Sequence, residues 1–141
     1  MGTYSYKTEP LLDFTKEETL KLYQEGLDTV EAYLGKTYPL IVNGQFVKTE
    51  NVYTSFNPAD HTEVVGYVHQ ANLDVAKQAM DAALTAFETW KKVPAKVRAD
   101  VLFKSAAIIR KRKFEFSALM TKEAGKPWPE ADADTAEAID F

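Results

Sequence analysis

The residues whose types and spacing could do chemistry crowd one stretch, "KEAGKPWPEADADTAEAIDF", residues 122–141. Glu130, Asp134, Glu137 and Phe141 recur at steps of four, three and four, which on a helix sets three carboxylates and an aromatic ring along one face. The plainer reading is a solvated helix start. Pro129 suits the first turn, where its missing N–H leaves no bond unmade, and Glu130, Asp132 and Asp134 oppose the positive end of the helix dipole, with Asp132 pointing away from the stripe. Glu137 lies two turns in, where the dipole has faded, and is the carboxylate that this reading leaves unexplained.

Other candidates are weaker. Arg110, Lys111, Arg112 and Lys113 form a basic knot suited to phosphate, but with acidic neighbours at Glu115 and Glu123 and no interleaved aromatic residues it reads as a solvated helix terminus. His61 and His69 are too isolated for a metal site, which needs three or four convergent ligands, and read as structural or surface residues. No cysteine occurs among the 141 residues, which excludes a thiolate nucleophile, a thiolate metal site and a disulfide framework. "NGQ" suits a hairpin turn, and "EAGKP" has one glycine where a dinucleotide loop needs three after a strand. Seventeen basic and twenty-one acidic residues leave a net charge of −4, so neither nucleic acid nor a membrane surface is expected as a partner. The amino terminus lacks the apolar run of a signal peptide and no stretch nears the roughly eighteen apolar residues of a membrane helix, so the expected location is cytoplasmic.

The elements that must position these residues follow from periodicity. Thr15 and Glu18 have capping-box spacing, and Leu20, Tyr23, Leu27, Val30 and Leu34 recur at helical intervals, predicting a helix over 15–34. Asn43-Gly44 between two apolar runs predicts a tight hairpin. Val52–Phe56 and Val64–His69 read as two further strands around an Asn57-Pro58 turn, so a small, largely antiparallel sheet is expected. Asn72 can cap a helix whose inward stripe is Ala76, Ala79, Ala83, Phe87 and Trp90. A second helix carries Val97, Val101, Ile108 and Ile109 to the basic knot, a third runs from about Phe114 to Gly125, and the last opens at Pro129 with no stop signal, so the chain is expected to continue. The organisation expected is an amino-terminal arm and helix over 1–35, a hairpin and strands over 36–70, and a helical stretch over 71–141, together one incomplete domain.

"YPLIVNGQFV", "SFNPADHTEVVGYV", the helices from Asn72 to Lys113, "EAGKP" and "EADADTAEAIDF" together resemble the amino-terminal part of an NAD-dependent aldehyde dehydrogenase. The hairpin, the "NPA" turn and "E-x-GKP" are shared widely across that superfamily. The leading helix and "ADADTAEAIDF" look like its 1-pyrroline-5-carboxylate dehydrogenase branch, which oxidises L-glutamate γ-semialdehyde to glutamate in proline breakdown. The resemblance covers essentially all of the chain but only the first quarter to third of such an enzyme.

It implies an α/β parent fold, of which this stretch is mostly α-helical with a small antiparallel sheet, flanking an NAD-binding domain that the chain does not contain. It implies NAD as the parent's cofactor, a small-molecule substrate, a homo-oligomeric assembly, and Glu137 as a residue reaching the substrate tunnel. Members of the family use a cysteine thiolate, an oxyanion hole and a glutamate base; the nucleophile and base then lie outside these residues, and no catalytic, cofactor-binding or metal-binding residue is assigned here. The alternative is a non-catalytic α+β module that assembles through its apolar helix faces. Residues 1–141 alone are predicted to oxidise no aldehyde: NADH formation followed by absorbance with an excess of aldehyde should equal the protein-free rate, and any turnover overturns this.

Overall fold

The structure, a computed structural model, describes residues 6–141, which form two compact units: residues 6–32 with 101–141, and residues 33–100. The helical stretch over 71–141 is thus shared between the two units.

In residues 33–100, Gly35 adopts φ +68° and its N–H bonds the Val65 carbonyl, which starts strand β1 (Lys36–Tyr38) alongside β5 (Asp60–His69). The three-stranded sheet has the order β1-β5-β4, with β4 being Val52–Asn57. β4 and β5 pair antiparallel, from Val52 against His69 to Asn57 against Asp60, whereas β1 and β5 run parallel, Lys36 opposite Gly66. The Asn57 amide oxygen accepts the Ala59 N–H at 2.9 Å, an Asx turn that fixes the β4–β5 corner. The hairpin is β2 (Leu40–Val42) and β3 (Gln45–Val47), joined by Asn43 and Gly44 at φ 50° and 72°, the positive pair that a type I′ turn demands. It forms a separate two-stranded sheet. The expected antiparallel pairings are present, and the parallel β1, which the short polar "KTY" does not announce, makes the three-stranded sheet mixed.

Helix α2 (Leu73–Trp90) begins where Asn72 Oδ1 accepts the Val75 N–H at 2.9 Å, and α3 (Ala95–Lys111) begins just after Pro94. The stripe expected to face inward on α2 does not: Phe87 is 53 % and Trp90 45 % exposed, and Val75 is the residue it buries. On α3, Val97, Val101 and Ile108 are also exposed.

In residues 6–32 and 101–141, helix α1 (Glu17–Glu31) lies against α4 (Lys113–Ala124), and α4 against α5 (Trp128–Asp140). The expected capping box is absent: Lys16 is the N-cap with no side-chain bond, and Thr15 turns back, its hydroxyl 2.6 Å from Asp13 Oδ1. Asp13 satisfies the local donors first, and that local bond competes with the helix cap. Three rings form the centre of this unit. Tyr23 stacks on Trp128 with centroids 4.6 Å apart and meets Phe14 edge-on at 5.6 Å. The fully buried Tyr23 hydroxyl shares a 2.9 Å hydrogen bond with Thr121. Burial raises its pKa above 10.0, opposed by the Thr121 bond and reinforced by the negative charge of Asp132. A raised phenol pKa means that this contribution to stability is complete below pH 10.0 and is lost as pH rises through the raised value.

α1 and α4 pack closely at Gly26, where an added Cβ would lie 2.8 Å from the Phe114 carbonyl oxygen and 3.0 Å from its carbon. Helix backbone cannot yield as a side chain can. Gly26→Ala is therefore expected to destabilise the chain: overpacking costs roughly 1–3 kcal/mol, more than the ~1 kcal/mol by which alanine favours a helix. A lowered urea midpoint in circular dichroism is the expected reading, and an unchanged or raised midpoint contradicts the close packing.

Candidate functional site

Helix α5 has two chemically different faces, and the chain around it explains both. Gly125 takes φ +66° to end α4, and Pro127 and Pro129 bracket the start of α5, whose N-cap is Pro127 with Pro129 in the first turn. One face buries Ala131, Asp132, Thr135, Ala136 and Ile139. Against α4, Thr135 Oγ1 donates to the Ala131 carbonyl at 2.9 Å and accepts from Ser117 Oγ at 2.9 Å, so both hydroxyls are satisfied away from water.

The other face carries the acidic stripe found in the sequence. Glu130 and Glu137 are exposed, Asp134 is half-buried and Phe141 is 93 % exposed. The stripe is not purely anionic, because the Lys126 ammonium pairs with Asp134. The Asp134 hydrogen bond raises the Lys126 pKa, against slight desolvation, and the charges of Asp134, Glu130 and Glu137 add to the rise. Three carboxylates and one ammonium leave this face net negative, with Glu137 the carboxylate farthest along the helix from that ammonium in sequence.

Asp132 overturns the solvated reading given to it. It is 1 % exposed, and its Oδ2 accepts the Leu12 N–H at 2.7 Å. Lys113, expected to belong to a solvated basic knot, is 7 % exposed; its Nζ lies 2.9 Å from Asp132 Oδ1 and donates to the Pro10 carbonyl at 2.8 Å. Oδ1 has no aligned hydrogen bond and is held by the ammonium's charge. Arg110 likewise reaches Glu9 at 2.8 Å, and the Glu9 N–H bonds Asp140 Oδ1 at 2.8 Å. Arg110 and Lys113 of the basic knot thus anchor the amino-terminal arm, whereas Arg112 pairs with Glu115. A signal for Asp132 was present: it stands at helical spacing with Thr135, Ala136 and Ile139, the positions that are buried.

The histidines agree with their structural reading: His69 is buried, with Nδ1 2.8 Å from the Thr49 carbonyl oxygen, and His61 is exposed at the start of β5. Among the described residues no group of three or more His, Cys, Asp or Glu could hold a metal ion. None of their helices is long and apolar enough to cross a membrane. The turn at "EAGKP" is not a dinucleotide loop. Gly125 closes α4 instead of opening a helix after a strand, so no cradle of backbone N–H groups meets a pyrophosphate there.

The described residues thus combine packed helices that carry an exposed acidic face with a small mixed sheet and a separate hairpin. Residues 46–141 match the model of the aldehyde dehydrogenase family, and the chain belongs to that family. It is 60 % identical over 136 residues to the 1-pyrroline-5-carboxylate dehydrogenase of Anoxybacillus flavithermus (strain DSM 21510 / WK1), an alignment covering 96 % of this chain and 26 % of that protein. It superposes on the crystal structure of 1-pyrroline-5-carboxylate dehydrogenase from Thermus with bound NAD at a TM-score of 0.95 and 41 % identity, covering 100 % of this chain and 27 % of that one. The Δ-pyrroline-5-carboxylate dehydrogenase from Mycobacterium tuberculosis, 21 % identical at a TM-score of 0.88, shares the fold over 100 % of this chain and 27 % of its own. The chain therefore spans about a quarter of the length of the relatives it matches.

The Lys113–Asp132 pair makes a quantitative prediction. Removing one member of a buried pair strands the other charge, at about 3–5 kcal/mol, whereas removing both charges costs much less. Asp132→Ala should lower the unfolding free energy by that amount in urea titrations. The double variant Lys113→Met/Asp132→Asn, which keeps an oxygen for the Leu12 N–H, should recover a large part; a double variant as unstable as the single one contradicts this account.

Proposed function

We propose that these residues are the amino-terminal part of a dehydrogenase that oxidises L-glutamate γ-semialdehyde, the open form of 1-pyrroline-5-carboxylate, to L-glutamate with NAD in proline degradation. The observation that carries this reading is the 60 % identity over 136 residues to a 1-pyrroline-5-carboxylate dehydrogenase. In this reading the nucleophile, the base and the NAD-binding strands come from other residues of the parent, and the present ones supply support and one substrate contact. The parent acts as a cytoplasmic homo-oligomer, its partner here being the remainder of its own chain.

The contact is Glu137. The semialdehyde carries an α-ammonium and an α-carboxylate at one end and the aldehyde at the other. Glu137 stands on the exposed, net negative face of α5, where the Lys126 ammonium pairs with Asp134. A carboxylate so placed can accept a charge-assisted hydrogen bond from the ammonium and point the far aldehyde toward the nucleophile.

Truncating one partner of a desolvated charged pair costs roughly 2–5 kcal/mol, while losing an exposed surface carboxylate costs under about 1 kcal/mol. Glu137→Ala in the full-length enzyme is expected to lower kcat/KM for glutamate semialdehyde about tenfold or more, leaving a simple aliphatic aldehyde and the NAD kinetics nearly unchanged. Equal small losses on both aldehydes return Glu137 to an ordinary solvated position. Failure of the full-length enzyme to reduce NAD with glutamate semialdehyde at all refutes the wider assignment.

A further inference from the structure

The geometry points to the amino-terminal arm, residues 9–12, as a strap that sets the orientation of α5 and so positions Glu137 for the substrate's ammonium group; this rests on the substrate reading given above. The arm is bound along α5 at two places. Glu9 N–H bonds Asp140 Oδ1 at 2.8 Å, and Leu12 N–H bonds Asp132 Oδ2 at 2.7 Å. Asp132 and Asp140 stand eight residues apart, about 12 Å along a helix, and the three residues from Glu9 to Leu12 span about 10 Å when extended. The arm therefore lies antiparallel to α5, bound near each end of the span that contains Glu137.

The strap is itself held from behind. Lys113, at the start of α4, donates to the Pro10 carbonyl, and Arg110, near the end of α3, pairs with the Glu9 carboxylate, whose side chain is only 9 % exposed. Four attachments made by Glu9, Pro10 and Leu12 exceed what is needed to tidy a loose terminus. Packing on α4 restrains one side of α5 through Ser117 and Thr135, and the strap restrains the helix where α4 offers no hydroxyl pair. The strap and the α4 contacts together hold the buried side of α5 from Asp132 to Asp140, which opposes roll, the motion that would swing Glu137 away from a substrate. Asp132 and Asp140 are thus positioning residues that touch no substrate.

The test uses the full-length enzyme and two aldehydes, glutamate semialdehyde and an aliphatic aldehyde without an amino group. Asp140 is only half-buried, so Asp140→Ala is a variant that folding tolerates, as a thermal melt would verify; Arg110→Ala, which frees the Glu9 carboxylate from an exposed guanidinium, is the second variant should the first not fold. Asp140→Ala is expected to lower kcat/KM about tenfold for glutamate semialdehyde and little for the aliphatic aldehyde. Asp140→Asn keeps an oxygen for the Glu9 N–H and should restore most of the loss. In a Glu137→Ala background the Asp140→Ala effect should vanish, since the strap acts through Glu137. Equal losses on both aldehydes, or losses that add to that of Glu137→Ala, overturn the strap while leaving Glu137 in its role. A Glu137→Ala single variant that is silent on both aldehydes removes the substrate reading, and the strap's purpose with it.

Discussion

Burying the Lys113 ammonium against the Asp132 carboxylate constrains everything around them, because neither charge can remain in a low-dielectric interior without the other. The pair joins the first turn of α4 to the first turns of α5. Its remaining hydrogen-bonding capacity goes to backbone, the Pro10 carbonyl and the Leu12 N–H, so the arm is drawn into the same arrangement. From there the chain passes through Phe14 into the ring cluster with Tyr23 and Trp128, which ties α1 to the start of α5. A hydrophobic contact could have packed these elements with similar strength but in several registers. Charge and directional bonds select one.

The division of labour on α5 follows. Its carboxylates are of two kinds, separated by rotation about the helix axis. Asp132 and Asp140 accept N–H groups from the arm and serve the fold, whereas Glu130, Asp134 and Glu137 share the outer face with Lys126. Sequence spacing sets Asp132 apart from the stripe but does not show that it and Asp140 bind backbone. Their environments make them different, as solvation does for any carboxylate.

Local chemistry was legible where one residue decides the backbone. Asn43-Gly44, the Asn72 cap and the left-handed Gly125 were each found at the positions read from the sequence, because a positive φ or a side-chain cap depends on neighbours two or three residues away. Long-range pairing was not legible. The parallel β1 strand owes its place to β5, thirty residues on, and Lys113 and Asp132 read as solvated because a charged residue ordinarily is. Thr15 had the spacing of a capping residue but found a nearer partner in Asp13. The apolar stripes of α2 and α3 were expected to face inward, yet most of their residues are open to solvent. Amphipathic patterning states that a face prefers cover; it does not say which surface provides it. The acidic stripe was visible, whereas the two bonds that hold its helix from the opposite side were not.

The arm's bonds to α5 join residues 131 and 120 positions apart, across a unit assembled from both ends of the chain. Residues 33–100, by contrast, are contiguous and pair largely with near neighbours. During synthesis at about 5–20 residues per second, the arm and α1 emerge and then wait roughly 5–20 s before α4 and α5 exist to receive them. Through that interval Tyr23 and Val30, which end fully or almost fully buried, have no permanent surface to cover them. The order of translation thus lets the sheet unit close before the surfaces that cover the amino-terminal helix have been made.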